Sequence, residues 1–259
     1  MEQYRAVSGK LPTGLQRYYD QKHRVGTSPA VPPRSRYPHD RYEAARLGLS
    51  QLLPPQAAVL ELAAGWGDVF ERLRADGVSF SEYVLSEVSE RRLEVLRGAC
   101  ADDPVARVAE VDAERVSSEL GSFDAVVMVA LIEHLLDPIA SLSAVRQVLR
   151  PGGFVWIDTP NIARLTRRIK LLLGRFPSTA SVDEGLTTHR GEPATLYDEG
   201  HLHYWTFRSL ERMLMERCGY SSVRRVPYSS APFPAGRVGE LLAKWMPTLV
   251  SEACVAAYR

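Results

Sequence analysis

The chain has 259 residues, 45% of them apolar, enough for a full hydrophobic core, which excludes wholesale disorder. Thirty-two Lys and Arg against 31 Asp and Glu leave a formal charge of +1, so no global field draws the protein to nucleic acid. No apolar run approaches the roughly 18 residues of a membrane span, the start MEQYRAVSGK lacks a signal-peptide profile, and three scattered cysteines (Cys100, Cys218, Cys254) argue against a disulfide framework or a cysteine zinc site. The expectation is a cytoplasmic globular protein with no stable membrane insertion, its oligomeric state open.

In chain order, residues 1–50 come first, with nine Lys and Arg and four Asp and Glu and a proline-rich stretch from Pro29 to Pro38. They read as an N-terminal cap (about 1–45), running into a helix around Asp40–Leu53 that Pro54-Pro55 ends. From residue 57 strands and helices alternate. Ala58–Leu62 is a strand, Gly65-Trp66-Gly67 turns into a helix with Val69, Phe70 and Leu73 on one face, and Tyr83–Leu85 is a second strand. A helix carrying Leu93 and Leu96 follows, then a weak strand at Val108–Val111. Phe123–Val129 is nearly all apolar, as a central parallel strand covered on both faces must be. Ile139, Leu142, Val145 and Leu149 form a helix stripe behind Pro138, closed by Pro151-Gly152-Gly153, and Phe154–Ile157 is a fifth strand.

The stretch 161–175 predicts an amphipathic helix, with Ile162, Leu165, Ile169 and Leu172 packing on the core and arginines on the wet side; a lid over the acceptor and a membrane-surface contact for a lipid-like substrate are the alternatives. Residues 161–200 together read as a helical lid inserted into the domain 46–259. Thr206 caps a helix with Phe207, Leu210 and Leu214, and two last strands are expected near Ser222–Val226 and Leu249–Ala257. Alternation of this kind predicts an α/β fold with a doubly wound, mostly parallel seven-stranded sheet.

Glu61-Leu-Ala-Ala-Gly-Trp-Gly67 carries the most chemistry. A strand ends near a carboxylate and runs into a glycine turn at a helix N-terminus, where bare N–H groups await a ligand. Twenty residues after Gly67, Glu87 ends the second strand, where a carboxylate can accept both hydroxyls of a ribose. Any nucleoside-bearing cofactor suits those two features. A nicotinamide oxidoreductase would want a third glycine at position 70, where this chain has Phe70.

From about Pro54 onward the chain resembles the class I S-adenosylmethionine-dependent methyltransferases, whose fold is Rossmann-like. Ala58–Gly67 is similar to the family's first motif, with Ala63 where glycine is commoner; Tyr83–Leu96 is similar to its second; Val111-Asp112-Ala113 to the segment beside the adenine; Phe123–Asp137 to the fourth motif; and Leu149–Gly153 to the turn before the fifth strand. The resemblance implies S-adenosyl-L-methionine as cofactor, held by Glu61, Ala63, Gly65, Gly67, Glu87, Asp112 and Ala113, with Glu61 facing the positive methionine end.

Ala130-Leu-Ile-Glu-His134 stands where nucleic-acid base methyltransferases have an acid or amide followed by two prolines and an aromatic. The expected partner is therefore a small-molecule acceptor and not a nucleic acid. Oxygen (a sugar, quinone precursor or natural product) is preferred over nitrogen; an N-methyltransferase and a non-catalytic SAM-binding protein are the alternatives. Methyl transfer leaves the protein to position the acceptor and take its proton, which four histidines could do, His134, His189, His201 and His203; of these His134, His201 and His203 are the candidates, and ordering of a turn is the competing role for His134. His201-Leu-His203 with Asp198 and Glu199 has loose spacing for a metal site, and no metal is expected.

Overall fold

The computed structural model describes residues 36–180 and 200–259. Residues 1–35 of the expected cap and 181–199 of the expected lid, with His189, Asp198 and Glu199, lie outside the described residues.

Helix α1 (Arg41–Leu52) starts at Asp40, whose carboxylate accepts the N–H groups of Tyr42 and Glu43, both at 2.9 Å. It runs unbroken across residue 45 and buries Ala44, Ala45 and Leu49. Gly48 faces the indole of Trp156, and a Cβ there would sit 2.1 Å from the ring. Next come β1 (Ala57–Leu62), α2 (Asp68–Ala75), β2 (Phe80–Glu87), α3 (Glu90–Ala99) and β3 (Ala106–Glu110). Then follow β4 (Phe123–Val129), α4 (Pro138–Val148) and β5 (Leu149–Thr159). The seven strands, with β6 (Ser222–Arg225) and β7 (Ala253–Tyr258), form one sheet in the order β3-β2-β1-β4-β5-β7-β6. Only β7 is antiparallel to its neighbours, β5 and β6. Chain order reverses between β1 and β4, and in such sheets ligands settle beyond the carboxyl ends of the strands at that switch point.

Alternate residues of the central strands feed two buried layers. Leu60, Val126 and Val155 pack with Leu142 and Val145 of α4 and with Phe207 and Leu210 of α6 (Phe207–Arg212). Val59, Val127 and Trp156 pack with Leu49 of α1 and Val69 and Leu73 of α2. β4 has the bounds its apolar run predicts, and Pro138 opens α4 under an Asp137 cap.

Three expectations change. The helix α4 stops at Val148 and β5 begins at once, so Pro151-Gly152-Gly153 lies inside the strand; a Cβ on Gly153 would press within 2.8 Å of the Asp124 carbonyl. The last strand starts at Ala253, because Pro247–Val250 forms a helical turn (α8) after α7 (Gly236–Trp245). The amphipathic helix α5 (Leu165–Leu172) is turned the other way. Its leucines are exposed, Leu172 by 84%, whereas Arg164 and Arg167 point inward onto the buried carboxylate of Glu252. Two guanidinium groups compensate one carboxylate, so burial of charge replaces burial of the leucine stripe.

Candidate active site

The turn after β1 is built from backbone that folds left-handed. Ala63, Gly65 and Gly67 have φ of 52°, 63° and 86°, and Ala130 at the end of the adjacent β4 has 51°. For alanine this conformation costs about 1–2 kcal/mol, and such strain collects where a ligand must be approached closely. A Cβ on Gly65 would meet nothing within 4 Å, so the turn presents bare backbone to open space ahead of the α2 N-terminus.

Glu87 is buried at the end of β2, and its carboxylate is docked to this turn. One oxygen accepts the Gly65 N–H at 3.2 Å and Arg92 at 3.0 Å; the other accepts the Val88 N–H at 2.9 Å. Arg92 also lies over the Trp66 ring at 5.5 Å. A ribose hydroxyl would therefore compete with Arg92 for the carboxylate. Two residues past the register partner of Glu87, Asp112 caps a short 3₁₀ turn by accepting the Glu114 N–H at 2.9 Å. Ala113 beside it is buried.

Glu61 is buried and accepts the Tyr83 hydroxyl at 2.7 Å. Loss of water pushes its pKa up to about 8, against the lowering by that hydrogen bond; Asp68 and Glu87 push the same way as burial. The residues thus fit a cationic, ribose-bearing donor: an open glycine turn, an acid at the next strand end, and a buried carboxyl waiting for a positive charge.

Past β4 the 3₁₀ turn Ile132–His134 carries the second half of the site. The Glu133 carbonyl accepts the Leu202 N–H at 2.8 Å, which ties the 200–205 segment to this turn. Ligand atoms of Glu133, His134 and His201 all lie within 4.8 Å of one another, and the two imidazoles meet edge to face, 4.7 Å between centroids. His134 Nδ1 donates to the Gly200 carbonyl at 3.2 Å, and His201 Nδ1 is 2.6 Å from Thr179 Oγ1. The Glu133 carboxyl, 1% exposed, accepts the Thr159 hydroxyl at 2.8 Å on one oxygen, while Oε1 has no partner among the described residues. Burial raises its pKa to about 7, opposed by backbone N–H donation and by Arg41.

His203 lies outside this triplet. Its ring stacks on Trp205 at 5.9 Å, and His203 Nε2 is buried without a partner among the described residues.

Opposite Thr159, Asp158 points to the other face of the sheet. It is fully buried, 3.9 Å from Arg41, and burial raises its pKa to about 6 against the pull of Arg41. Arg41 also borders a cavity of about 370 Å³, together with Tyr42, Arg164, Tyr228 and Glu252. Sequence reasoning missed these groups and Thr179. Asp158, directly after an apolar strand, carried a signal; the others come together only through the fold.

A family model described as a methyltransferase domain matches residues 36–224. The chain is 33% identical over 122 residues to the ubiquinone biosynthesis O-methyltransferase of Xanthomonas campestris, covering 46% of this chain and 48% of that one. It is 29% identical over 106 residues to the Pseudomonas aeruginosa enzyme of the same name, covering 40% and 44%. The chain thus spans about half the length of the curated relatives it matches. Among solved structures, the S-adenosylmethionine-dependent methyltransferase from Mesorhizobium loti superposes with a TM-score of 0.54 at 18% identity, covering 83% of this chain and 98% of that one. With the family model spanning β1 to β5, the glycine turn and the histidine turn, the chain belongs to the methyltransferase-domain family and is an S-adenosylmethionine-dependent methyltransferase of the class I Rossmann-like type.

Proposed function

We propose that this enzyme methylates a hydroxyl of a small molecule held over the carboxyl ends of β4 and β5. One observation carries the reading: the Glu133, His134 and His201 triplet, one short turn beyond β4, where an acceptor proton must be handled. The relatives named O-methyltransferases of ubiquinone biosynthesis support oxygen over nitrogen and bring quinone precursors into the range of acceptors. Glu61 faces the donor's cationic end and Glu87 its ribose. The donor supplies a methyl on positively charged sulfur; as the acceptor oxygen bonds to carbon, the carbon–sulfur bond breaks and its electron pair stays on sulfur. The polar turn with no proline pair, together with the near-neutral charge, weighs against nucleic acid.

The test is formation of S-adenosylhomocysteine with matched panels of phenols, catechols, sugars, amines and oligonucleotides. Turnover confined to hydroxyl compounds is expected. Turnover on amines or oligonucleotides alone would overturn the acceptor class, and donor binding without turnover on any panel would favour a SAM-binding protein without transfer activity.

A further inference from the structure

The triplet that handles the acceptor has the make-up of a metal site. We propose that Glu133, His134 and His201 bind one divalent transition-metal ion, which in turn holds the acceptor oxygen. No metal is expected from the sequence, because His201-Leu-His203 has poor spacing for one; the fold supplies a different set, with His201 brought to Glu133 and His134 across 67 residues.

Four observations carry the site. The three side chains offer two imidazole nitrogens and a carboxylate oxygen, the mixture that suits zinc, iron and their neighbours over magnesium or calcium. Their ligand atoms are at most 4.8 Å apart. Donors around a tetrahedral zinc stand about 3.3 Å apart, so closure takes side-chain rotation and no backbone movement. Glu133 Oε1 is buried and has no hydrogen-bond partner among the described residues, a cost of about 1–3 kcal/mol that a cation would remove.

The outer contacts are those of ligating histidines. His134 Nδ1 is anchored by the Gly200 carbonyl and His201 Nδ1 lies 2.6 Å from the Thr179 hydroxyl, contacts of the kind that orient ligating histidines. The Thr159 hydroxyl fixes the second oxygen of Glu133 in the same way. Three protein ligands leave a position open, the arrangement of a catalytic rather than a structural site.

An acceptor hydroxyl at that open position becomes more acidic and loses its proton to water. The resulting oxyanion then takes the methyl, its lone pair forming the oxygen–carbon bond as the carbon–sulfur pair returns to sulfur. The ion's part in activating the acceptor rests on the methyl-transfer reading above; its binding does not.

The experiment uses untagged full-length protein, stripped with chelator and titrated with Co2+ by visible absorption, with Zn2+ as competitor. One Co2+ per chain is expected, with ligand-field bands that Zn2+ abolishes. His201→Ala and Glu133→Gln should lose stoichiometric uptake, and Thr179→Val should weaken it about 10–100-fold, the usual effect of removing a group that orients a ligating histidine. S-adenosylhomocysteine affinity, measured by calorimetry on each variant, should stay at the wild-type value and shows that the fold survives. Wild-type uptake of Co2+ and Zn2+ no greater than that of a His134→Ala/His201→Ala double variant overturns the site. Stoichiometric metal without turnover on any hydroxyl compound supports the site and overturns the acceptor reading instead.

Discussion

A carboxyl group that keeps its proton up to about pH 8, as burial makes Glu61 do, gives the donor site a pH signature. The donor's amino group is a cation, so a Glu61 that faces it must ionise on binding. Below pH 8, donor binding should therefore release a proton. Calorimetry at pH 7 in buffers of different ionisation enthalpy should detect it, and Glu61→Gln should abolish it; a buffer-independent heat in the wild type would detach Glu61 from the donor. The same shift acts on stability. The folded carboxyl holds its proton between its ordinary value of 4.5 and about 8, whereas the unfolded one has released it, so its contribution to stability falls as pH rises through that window. Glu61→Gln should flatten that part of the unfolding profile. Glu87→Ala should weaken donor binding by about 1.5–3 kcal/mol, the loss of a charge-assisted acceptor, with wild-type affinity in that variant removing the ribose role. The arrangement of Glu61, the glycine turn and Glu87 was legible in the sequence because strand, turn and helix are contiguous there. That His201 meets the Glu133-His134 pair was not legible: residues 176–200, just ahead of it, have little periodicity from which to infer the contact.

At the scale of elements, α5 shows what an amphipathic pattern leaves open. A stripe of leucines opposite a stripe of arginines defines two faces without saying which one is dry. Glu252, more than 80 residues downstream, decides it by pairing with Arg164 and with Arg167 at 2.8 Å, and by accepting the Asn161 N–H at 2.7 Å. Burial alone would raise the pKa of Glu252, but the two arginines bring it below the ordinary carboxylate value. Glu252→Ala should therefore cost about 3–5 kcal/mol in chemical denaturation, since it strands two inward guanidinium groups. A change under about 1 kcal/mol would mean that α5 has turned its arginines out to water. β4 was readable to the residue, because a strand covered on both faces has to be apolar throughout. The start of β7 was not, since Leu249 and Val250 continue the apolar run while belonging to the helical turn before it.

Across the whole molecule, polar groups gather at the carboxyl edge of the sheet: the glycine turn and Glu87 beyond β1 and β2, the Glu133, His134 and His201 triplet one turn beyond β4, and the Arg41–Asp158 pair at the end of β5. All three cysteines are buried and unbonded, so melting temperature in excess reductant should equal that in air, and a fall of many degrees on reduction would expose a missed disulfide. No helix among the described residues is long and apolar enough to cross a membrane. The contact between Gly48 and Trp156 ties this edge to the interior. α1 rests on the indole as a beam on a fulcrum, and Arg41, at its far end, stands roughly 10 Å away, seven residues at about 1.5 Å each. By the same geometry, a tilt of only about 5° at the fulcrum swings the arginine by about 1 Å. A single methyl added at position 48, inside the protein and remote from any ligand, would thus retune the cavity's mouth. The mouth of that cavity is therefore adjustable from the protein's core.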